Sequence, residues 1–426
     1  MKEHPYLSRI SDETLKFHLE SCGAVLIKGP KWCGKSMTAE QQKKSVVYMQ
    51  DKEHQAQNIE LANSSPSLFL AGDTPRLIDE WQIIPFIWDS IRFEIDKRKE
   101  FGQFILTGSS VPPDSDAYEH SGAGRIVHMT MRTMSLYEAH DSSGKISLSN
   151  LFRGEGNEAA VCEKTLSDYA YLTCRGGWPT AVTAKNEKVA LAQVKNYYDV
   201  LVNGDLQRLG KIRRNPSKIQ SLLRAYARNT ASQASNTTLK EDMRNHQDPA
   251  LDEDTIASYV NDLEMLYVVE ELPAWNPNLR SKTAVRTLST RHFTDPSIAC
   301  AALHLSPADL IHDLKTFGLF FESLAVHDLR IYAESMNGEV YHYRDASGLE
   351  ADAIIKLENG EWAAVEVKLS NPERIEEGAL HLLKLKSIID TDKMKAPKFL
   401  MVITATEYAY QRKDGVWVVP LGCLKP

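Results

Sequence analysis

The sequence has few cysteines, no long apolar run and no excess of positive charge. Its six cysteines include no close-spaced pair, so we expect reduced thiols rather than a disulfide framework or a zinc site. No apolar run approaches the roughly 20 residues that span a bilayer, and residues 1–5 show no apolar signal region. We therefore expect a cytoplasmic protein without a membrane partner. Because the net charge is −7, any contact with nucleic acid needs a local basic patch.

Length and composition predict a multidomain globular protein. At 426 residues the chain is too long for one ordinary core. Its residues are 42% hydrophobic and 25% charged, which is typical of a soluble globular protein. The order of predicted strands and helices indicates a multidomain α/β fold with domains at residues 1–150, 151–305 and 306–426.

The most informative stretch is the loop that follows the apolar run Ala24–Ile27. Its residues are Gly29, Pro30, Lys31, Trp32, Cys33, Gly34, Lys35 and Ser36. The pattern Gly-x-x-x-x-Gly-Lys-Ser between a strand and a helix is typical of a phosphate-binding loop, although an ordinary glycine turn is the alternative. Backbone N–H groups would point at phosphate oxygens, Lys35 would reach the β- and γ-phosphates, and Ser36 would ligate Mg²⁺. The loop therefore predicts a nucleotide site.

A second informative stretch, Pro75–Glu80, is a short apolar strand that ends in two carboxylates. Ligands bind at the carboxyl ends of strands in open parallel sheets. Asp79 would hold Mg²⁺, directly or through water, and Glu80 would polarise the attacking water. The alternative is an acidic helix start, which the helix dipole favours.

Two more polar positions are candidates for the same site. Thr107 follows the predicted strand Phe104–Leu106, and a hydroxyl there could contact the γ-phosphate, hold the attacking water or simply belong to a turn. Arg125 could stabilise transition-state charge as an arginine finger, in cis or from a neighbouring subunit of an oligomer. A surface salt bridge is the alternative for Arg125.

Taken together, these motifs resemble the prokaryotic AAA-type ATP-binding proteins that carry a C-terminal domain of unknown function. The motifs are Gly29–Ser36, Leu77–Glu80 with Gln82, Leu106–Ser110, and Gly122–Arg125 followed by Leu136–Glu138. The resemblance runs over nearly the whole chain and implies a P-loop NTPase core with a parallel sheet that binds ATP and Mg²⁺. Members often have arginine where this chain has Lys31, whose point charge lacks the planar fork of a guanidinium.

The middle of the chain is predicted to be helical. Helices near residues 219–227, 239–243 and 254–266, followed by the apolar stretch Val268–Leu272, give a winged-helix-like order. A basic run precedes them, at Arg208, Lys211, Arg213, Arg214 and Lys218. The predicted recognition helix is acidic, and its carboxylates would repel phosphates. We therefore favour a structural or protein-contacting winged helix over a DNA reader.

The last 121 residues, from 306 to 426, resemble a restriction-endonuclease-like α/β domain. Asp352 on one predicted strand and Glu366-x-Lys368 on the next resemble the PD-(D/E)xK nuclease motif, and Glu322 matches its helical glutamate. That resemblance implies that the carboxylates hold Mg²⁺ and that Lys368 positions the water and offsets developing charge. The alternative is a solvent-facing row in which Glu366 and Lys368 pair on the surface.

Three functions fit this sequence. The first is an ATPase whose nucleotide state controls a C-terminal nuclease-like module. The second is an ATP-regulated, Mg²⁺-dependent nuclease that acts on DNA or RNA. The third is an ATP switch that hydrolyses slowly and recruits a protein partner, and Glu80 argues against it because a pure binder needs no positioned base.

Overall fold

The computed structural model describes residues 6–108, 122–156, 159–206, 215–249, 251–277 and 288–426. The chain divides into two compact units, Met1–Thr133 with Met265–Tyr267 and Met134–Glu264 with Val268–Pro426. The predicted three-domain division stays a prediction. Within the described ranges, no helix combines the length and the apolar character needed to cross a membrane.

The first unit is an α/β layer structure. Its strands are β1 Ala24–Lys28, β2 Ser45–Tyr48, β3 Arg76–Asp79, β4 Phe104–Thr107 and β5 Ile126–Thr130. Its helices are α1 Ile10–Ser21, α2 Lys35–Gln42, α3 Gln55–Ser64, α4 Pro66–Phe69 and α5 Ile87–Arg98. The five strands are all parallel in the order β2-β3-β4-β1-β5, so the parallel sheet that the sequence predicted is confirmed.

Strand β1 shows why this sheet forms. Ala24 and Leu26 enter one hydrophobic core cluster and Val25 and Ile27 enter another, so both faces of the strand are covered. A strand buried on both faces is read in sequence as a continuous apolar run. Because the carboxyl ends of parallel strands meet at one edge, the loop after β1 and Asp79 at the end of β3 come to the same side of the sheet.

The second unit combines helices with a mixed sheet. Its strands are β6 Ile146–Ser147, β7 Ala160–Val161, β8 Gly338–Arg344, β9 Glu350–Leu357, β10 Trp362–Lys368, β11 Leu400–Thr404, β12 Tyr408–Gln411, β13 Trp417–Pro420 and β14 Leu424–Lys425. Its first helices are α6 Leu148–Arg153, α7 Leu166–Arg175, α8 Pro179–Val182 and α9 Glu187–Val200, which a π-helical turn, Leu201–Asp205, extends. The later helices are α10 Pro216–Arg228, α11 Asn236–Asn245, α12 Glu253–Met265, α13 Pro296–Ala302, α14 Pro307–His312, α15 Leu314–Ser335 and α16 Pro372–Ile388.

The larger sheet of this unit has seven strands in the order β7-β12-β13-β11-β10-β9-β8. Strands β8, β9 and β10 are antiparallel neighbours, whereas β10, β11 and β13 run parallel. The four C-terminal strands expected from sequence are present, and β7, β12 and β13 extend the sheet. Strand β7 has two residues, too few to show an alternating pattern.

The sequence also predicts a linker or loop at the polar residues 141–150, but they contain β6 and the start of α6, and β6 pairs with β14 near the end of the chain. The apolar stretch Val268–Leu272, which would form the hairpin of a winged helix, makes isolated antiparallel bridges among the described residues, Val269–Phe293 and Leu272–Thr290. Of the basic run, the arginines and Lys211 lie outside the described residues.

A buried polar network anchors the segment that begins the second unit. The Leu136 N–H and the Tyr332 hydroxyl both donate to Asp328 Oδ2, at 3.0 and 3.2 Å. The Ser135 hydroxyl donates to Glu138 Oε2 at 2.9 Å. Burial raises the pKa of Asp328, and the neighbouring His327 partly offsets the shift. The Leu-Tyr-Glu motif therefore has a structural role in holding this segment on α15.

We predict that Gly177→Ala destabilises the protein. A Cβ there would lie 1.9 Å from the Met134 carbonyl oxygen, and the Met134 N–H donates to the Gly177 carbonyl at 2.7 Å, so neither backbone can yield easily. Overpacking against backbone should lower the free energy of unfolding by about 1–3 kcal/mol in urea denaturation. Gly204→Ala is the matched control, because its Cβ would meet only Val200 Cγ1, at 4.0 Å. Equal effects of the two substitutions would contradict the prediction.

Candidate functional site

The loop between β1 and α2 depends on residues without side chains. Gly29 has φ of +148°, and a Cβ there would lie 2.0 Å from the Met131 carbonyl oxygen. Gly34 has φ of +109° and precedes the first residue of α2. Only glycine adopts such conformations at little cost, which explains the first and sixth positions of the motif.

The Lys35 side chain turns back into this loop. Its Nζ donates to the carbonyl oxygens of Gly29 at 2.8 Å and Pro30 at 2.7 Å, and the residue is only 6% exposed. These two partners are neutral, so they satisfy the donors of the ammonium without cancelling its charge. A nearly buried cation of this kind is stabilised by a bound anion such as a phosphate.

Asp79 is the carboxylate around which the site is built. Its Oδ1 accepts hydrogen bonds from the hydroxyls of Ser36 and Thr107, both at 2.6 Å, and its Oδ2 accepts from Gln50 Nε2 at 3.2 Å. The residue is 1% exposed. Hydroxyl and carboxylate oxygens in direct contact are ligands that suit Mg²⁺, which also keeps positions for phosphate and water oxygens.

Two of these partners lie beside β3, on or just after its neighbouring strands. The Thr107 hydroxyl donates to Asp79, its neighbour in the β3–β4 register, and its expected contact with the γ-phosphate or the attacking water stays a prediction. Gln50 was not identified. Its position just after β2, the strand next to β3, is the signal that could have identified it, since polar residues at neighbouring strand ends converge.

Glu80 lies at the sharp turn after β3. Its backbone is left-handed, with φ of 58° and ψ of 48°, and a 3₁₀ turn, Trp81–Ile83, follows. Its side chain makes no helix-capping hydrogen bond to that turn. Instead its Oε2 accepts a hydrogen bond from Gln82 Nε2 at 2.5 Å.

Residues before α1 brace the loop from outside. Arg9 donates to the Cys33 carbonyl at 2.8 Å and to the Arg132 carbonyl at 2.9 Å. The Tyr6 hydroxyl lies 2.9 Å from the Thr38 hydroxyl on α2, and burial raises the tyrosine pKa. Sequence reasoning missed both residues, because contacts across more than twenty positions leave no local pattern.

Arg125 lies away from the loop. Its Nε donates to Asp96 Oδ1 at 3.0 Å on the exposed surface, and its carbonyl accepts from the Ala24 N–H at 3.0 Å. Ala24 is the first residue of β1, whereas the phosphate-binding loop follows the last residue, Lys28. At roughly 3.3 Å per residue, the two ends of the strand are about 13 Å apart. The arginine finger in cis is therefore corrected to a surface salt bridge, and a role in a neighbouring subunit stays a prediction.

In the second unit, the predicted PD-(D/E)xK residues lie together. Lys368 Nζ is 2.5 Å from Glu366 Oε2 and 3.3 Å from Asp352 Oδ2, which also accepts from the Val367 N–H at 2.7 Å. Glu366 is 0% exposed, so the expected alternative of a solvent-facing pair is wrong. Its contact with Lys368 is an ion pair. Within the described part of the chain, neither Glu366 oxygen accepts a hydrogen bond of regular geometry.

Three carboxylates share this one ammonium. Burial raises the pKa of Glu366 well above its usual range, and the charge of Asp352 raises it further. The same two causes raise the pKa of Glu322 on α15. Burial lowers the pKa of Lys368, but the carboxylates more than offset this and raise it. In the ranges that the structure describes, these acids do not form a ready set of three metal ligands, so metal binding stays a prediction.

A histidine that sequence reasoning missed borders this cluster. His381 Nδ1 on α16 lies 3.8 Å from Glu366 Oε1. One turn earlier, Gly378 leaves space, because a Cβ there would lie 3.4 Å from Glu366 Cβ. A histidine on the helix after the Glu366-x-Lys368 strand is the sequence signal that could have identified it.

We predict that Arg9→Ala weakens ATP binding. Loss of the two charged hydrogen bonds releases the Cys33 carbonyl and the outer side of the loop, and each such bond contributes roughly 1.5–3 kcal/mol. We expect the Kd for ATP, measured by isothermal titration calorimetry, to rise about tenfold. Lys16→Ala, on the exposed side of α1, is the control and should leave Kd unchanged. An unchanged Kd in Arg9→Ala would show that the hydrogen bonds from Arg9 to the loop do not contribute to ATP binding.

Comparison with known families matches three parts of the chain. Residues 22–140 match a family described as AAA domain, residues 166–309 a domain of unknown function (DUF8612), and residues 317–424 a domain of unknown function (DUF4143). A search of curated proteins finds no match. Among solved structures, the chain is similar to a Walker-type ATPase of Pyrococcus abyssi, with 14% identity, a TM-score of 0.43, and coverage of 71% of this chain and 99% of that one. The AAA-type P-loop domain that the sequence predicted is thus supported at residues 22–140.

Proposed function

We propose that this protein is an ATP-binding, Mg²⁺-dependent ATPase whose site is the loop Gly29–Ser36 with Asp79 and Glu80. The observation that carries the proposal is the 2.6 Å hydrogen bond from Ser36 to Asp79, which joins the phosphate loop to the carboxylate strand. The match of residues 22–140 to an AAA domain supports it independently.

Each residue has a separate part in this reaction. Loop N–H groups and the Lys35 ammonium bind the β- and γ-phosphates, and Lys35 exchanges its two carbonyl contacts for phosphate oxygens. Ser36 and Asp79 would hold Mg²⁺, which supplies charge neutralisation to the phosphates when it is bound. Glu80 accepts the proton of the attacking water, beside the γ-phosphate.

We predict that Lys35→Ala abolishes ATP binding, because it removes the ammonium that is held inside the loop. Glu80→Gln should retain binding and lower kcat about 100-fold or more, since an amide is a far weaker base than a carboxylate. Equilibrium titration with a fluorescent ATP analogue and phosphate release measure the two effects separately.

Glu60→Gln, on the exposed face of α3, is the matched control for Glu80→Gln and should behave as wild type. Wild-type protein that binds ATP without turning it over would favour the switch that recruits a protein partner. Absence of saturable ATP binding in a Mg²⁺ titration would exclude both functions.

A second candidate function concerns the cluster of Asp352, Glu366 and Lys368. We propose that it is a Mg²⁺-dependent, nuclease-like centre, controlled by the nucleotide state, that acts on DNA or RNA. A fully buried carboxylate without regular hydrogen bonds is costly, and such sites persist where function requires them. Asp352 and Glu366 would hold the metal, which would supply hydroxide and clamp the phosphate, and Lys368 would stabilise the developing charge.

We predict that Glu366→Gln raises the melting temperature in metal-free buffer, because it removes one of three mutually repelling carboxylates. The variant should also lose the additional stabilisation that Mg²⁺ or Mn²⁺ gives to wild type. Differential scanning calorimetry with and without each ion measures both effects. Glu377→Gln, an exposed neighbour on α16, is the control and should keep the wild-type response. A large fall in melting temperature would instead identify Glu366 and Lys368 as a structural ion pair.

A further inference from the structure

Gln82 faces Glu80 although the two residues are only two positions apart. Residues two positions apart do not face each other on a helix, but here the left-handed Glu80 and the 3₁₀ turn after it bring the two side chains together. The Gln82 amide donates to Glu80 Oε2 at 2.5 Å. Gln82 belongs to the motif noted in the sequence, but nothing in the reaction described above uses it.

The orientation of this amide follows from chemistry. An ionised carboxylate can only accept hydrogen bonds, so the NH₂ group of Gln82 must face Glu80. Its carbonyl oxygen Oε1 is therefore turned away from Glu80. This oxygen is buried and, among the described residues, accepts no hydrogen bond. A buried acceptor without a donor calls for an explanation, and a water or ligand is one.

Gln82 Oε1 lies at the edge of the sheet where the parallel strands have their carboxyl ends. A Cβ added to Gly108 would lie 2.7 Å from Gln82 Oε1, so only glycine leaves this space open. Gly108 follows Thr107 at the carboxyl end of β4, and its N–H donates to the Ile27 carbonyl at 3.4 Å, next to the start of the loop. Gln82 Oε1 and Glu80 thus lie together at the nucleotide edge.

We infer that Gln82 is a positioning residue of ATP hydrolysis, which holds Glu80 through its NH₂ group and the attacking water through Oε1. This inference rests on the ATPase function proposed above. One hydrogen of the water is directed to Glu80 and the other to Gln82 Oε1, so the oxygen lone pair is free to face the γ-phosphorus. The water oxygen forms a bond to that phosphorus, its proton passes to Glu80, and the bond to the bridging oxygen breaks with the electron pair remaining on ADP.

Gly108 leaves the space in which the Gln82 side chain lies. Its missing side chain gives Gln82 Oε1 room to reach the water, so Gly108→Ala should displace the amide without touching ATP. Gln82 and Gly108 then act as one unit, so the effects of their substitutions on kcat should not be additive.

The test compares Gln82→Ala, Gly108→Ala and the double variant by steady-state kinetics and by ATP titration. We expect each single substitution to lower kcat about 10- to 100-fold with the Kd for ATP within about twofold, and the double variant to be no slower than the slower single one. Gln82→Glu keeps the shape of the side chain but sets a second carboxylate beside Glu80. A carboxylate at this position cannot donate to Glu80, so kcat should fall as in Gln82→Ala with the Kd for ATP within about twofold.

A residue with a merely structural role would change the melting temperature and would not lower kcat at an unchanged Kd for ATP. Full kcat in Gln82→Ala, with turnover present in wild type, would overturn this inference alone. Additive effects of Gln82→Ala and Gly108→Ala would overturn the joint action of the pair. A wild-type protein without turnover would overturn the ATPase function together with this inference.

Discussion

The buried charge of Asp79 is the constraint on which the nucleotide unit depends. A carboxylate that is 1% exposed must be satisfied by hydrogen bonds, and its three donors come from three different segments: α2, the end of β2 and the end of β4. The register of β2 and β4 against β3 and the position of the phosphate loop are therefore coupled through one side chain. A shift of any one of these segments by one residue would remove one of the three hydrogen bonds from a buried carboxylate, so packing of the sheet and geometry of the site depend on each other.

Positive-φ backbone also lies close to this carboxylate. Gly29 and Gly34 have positive φ within the loop, and Glu80 is a left-handed residue with a side chain. Such a non-glycine conformation costs of order 1–3 kcal/mol and persists only where the surroundings enforce it. Here the enforcing contacts are the Arg9 hydrogen bond to the Cys33 carbonyl on one side and the Gln82 hydrogen bond to Glu80 on the other. The strained turn after β3 directs both side chains to the edge of the sheet, which a regular strand or helix would not do.

Structural features that leave a pattern in neighbouring residues were predictable from the sequence. Contacts that depend on how distant strands pair were not. The bounds of β1, Ala24–Lys28, were predicted as observed, because a buried parallel strand is a continuous apolar run that the glycine motif ends. Arg125 was placed at the nucleotide by motif order, but the β1–β5 register sets it at the other end of the strand. Gln50 and Arg9 act through contacts across 29 and 24 positions. The alternation of Glu366 and Lys368 predicted a shared face correctly, but it could not show that this face is covered by α16.

Asp79 and the cluster around Glu366 are satisfied in opposite ways. Asp79 receives neutral hydroxyl and amide donors, which is a preorganised arrangement that needs no counter-charge to persist. Glu366, Asp352 and Glu322 instead share the single ammonium of Lys368, and burial raises the pKa of both glutamates. A structural ion pair needs one carboxylate for one ammonium, and further buried acids only add repulsion and desolvation cost. We propose that these buried acids, in excess of the one ammonium, are retained for the metal binding proposed above, in which a cation would favour their ionised form.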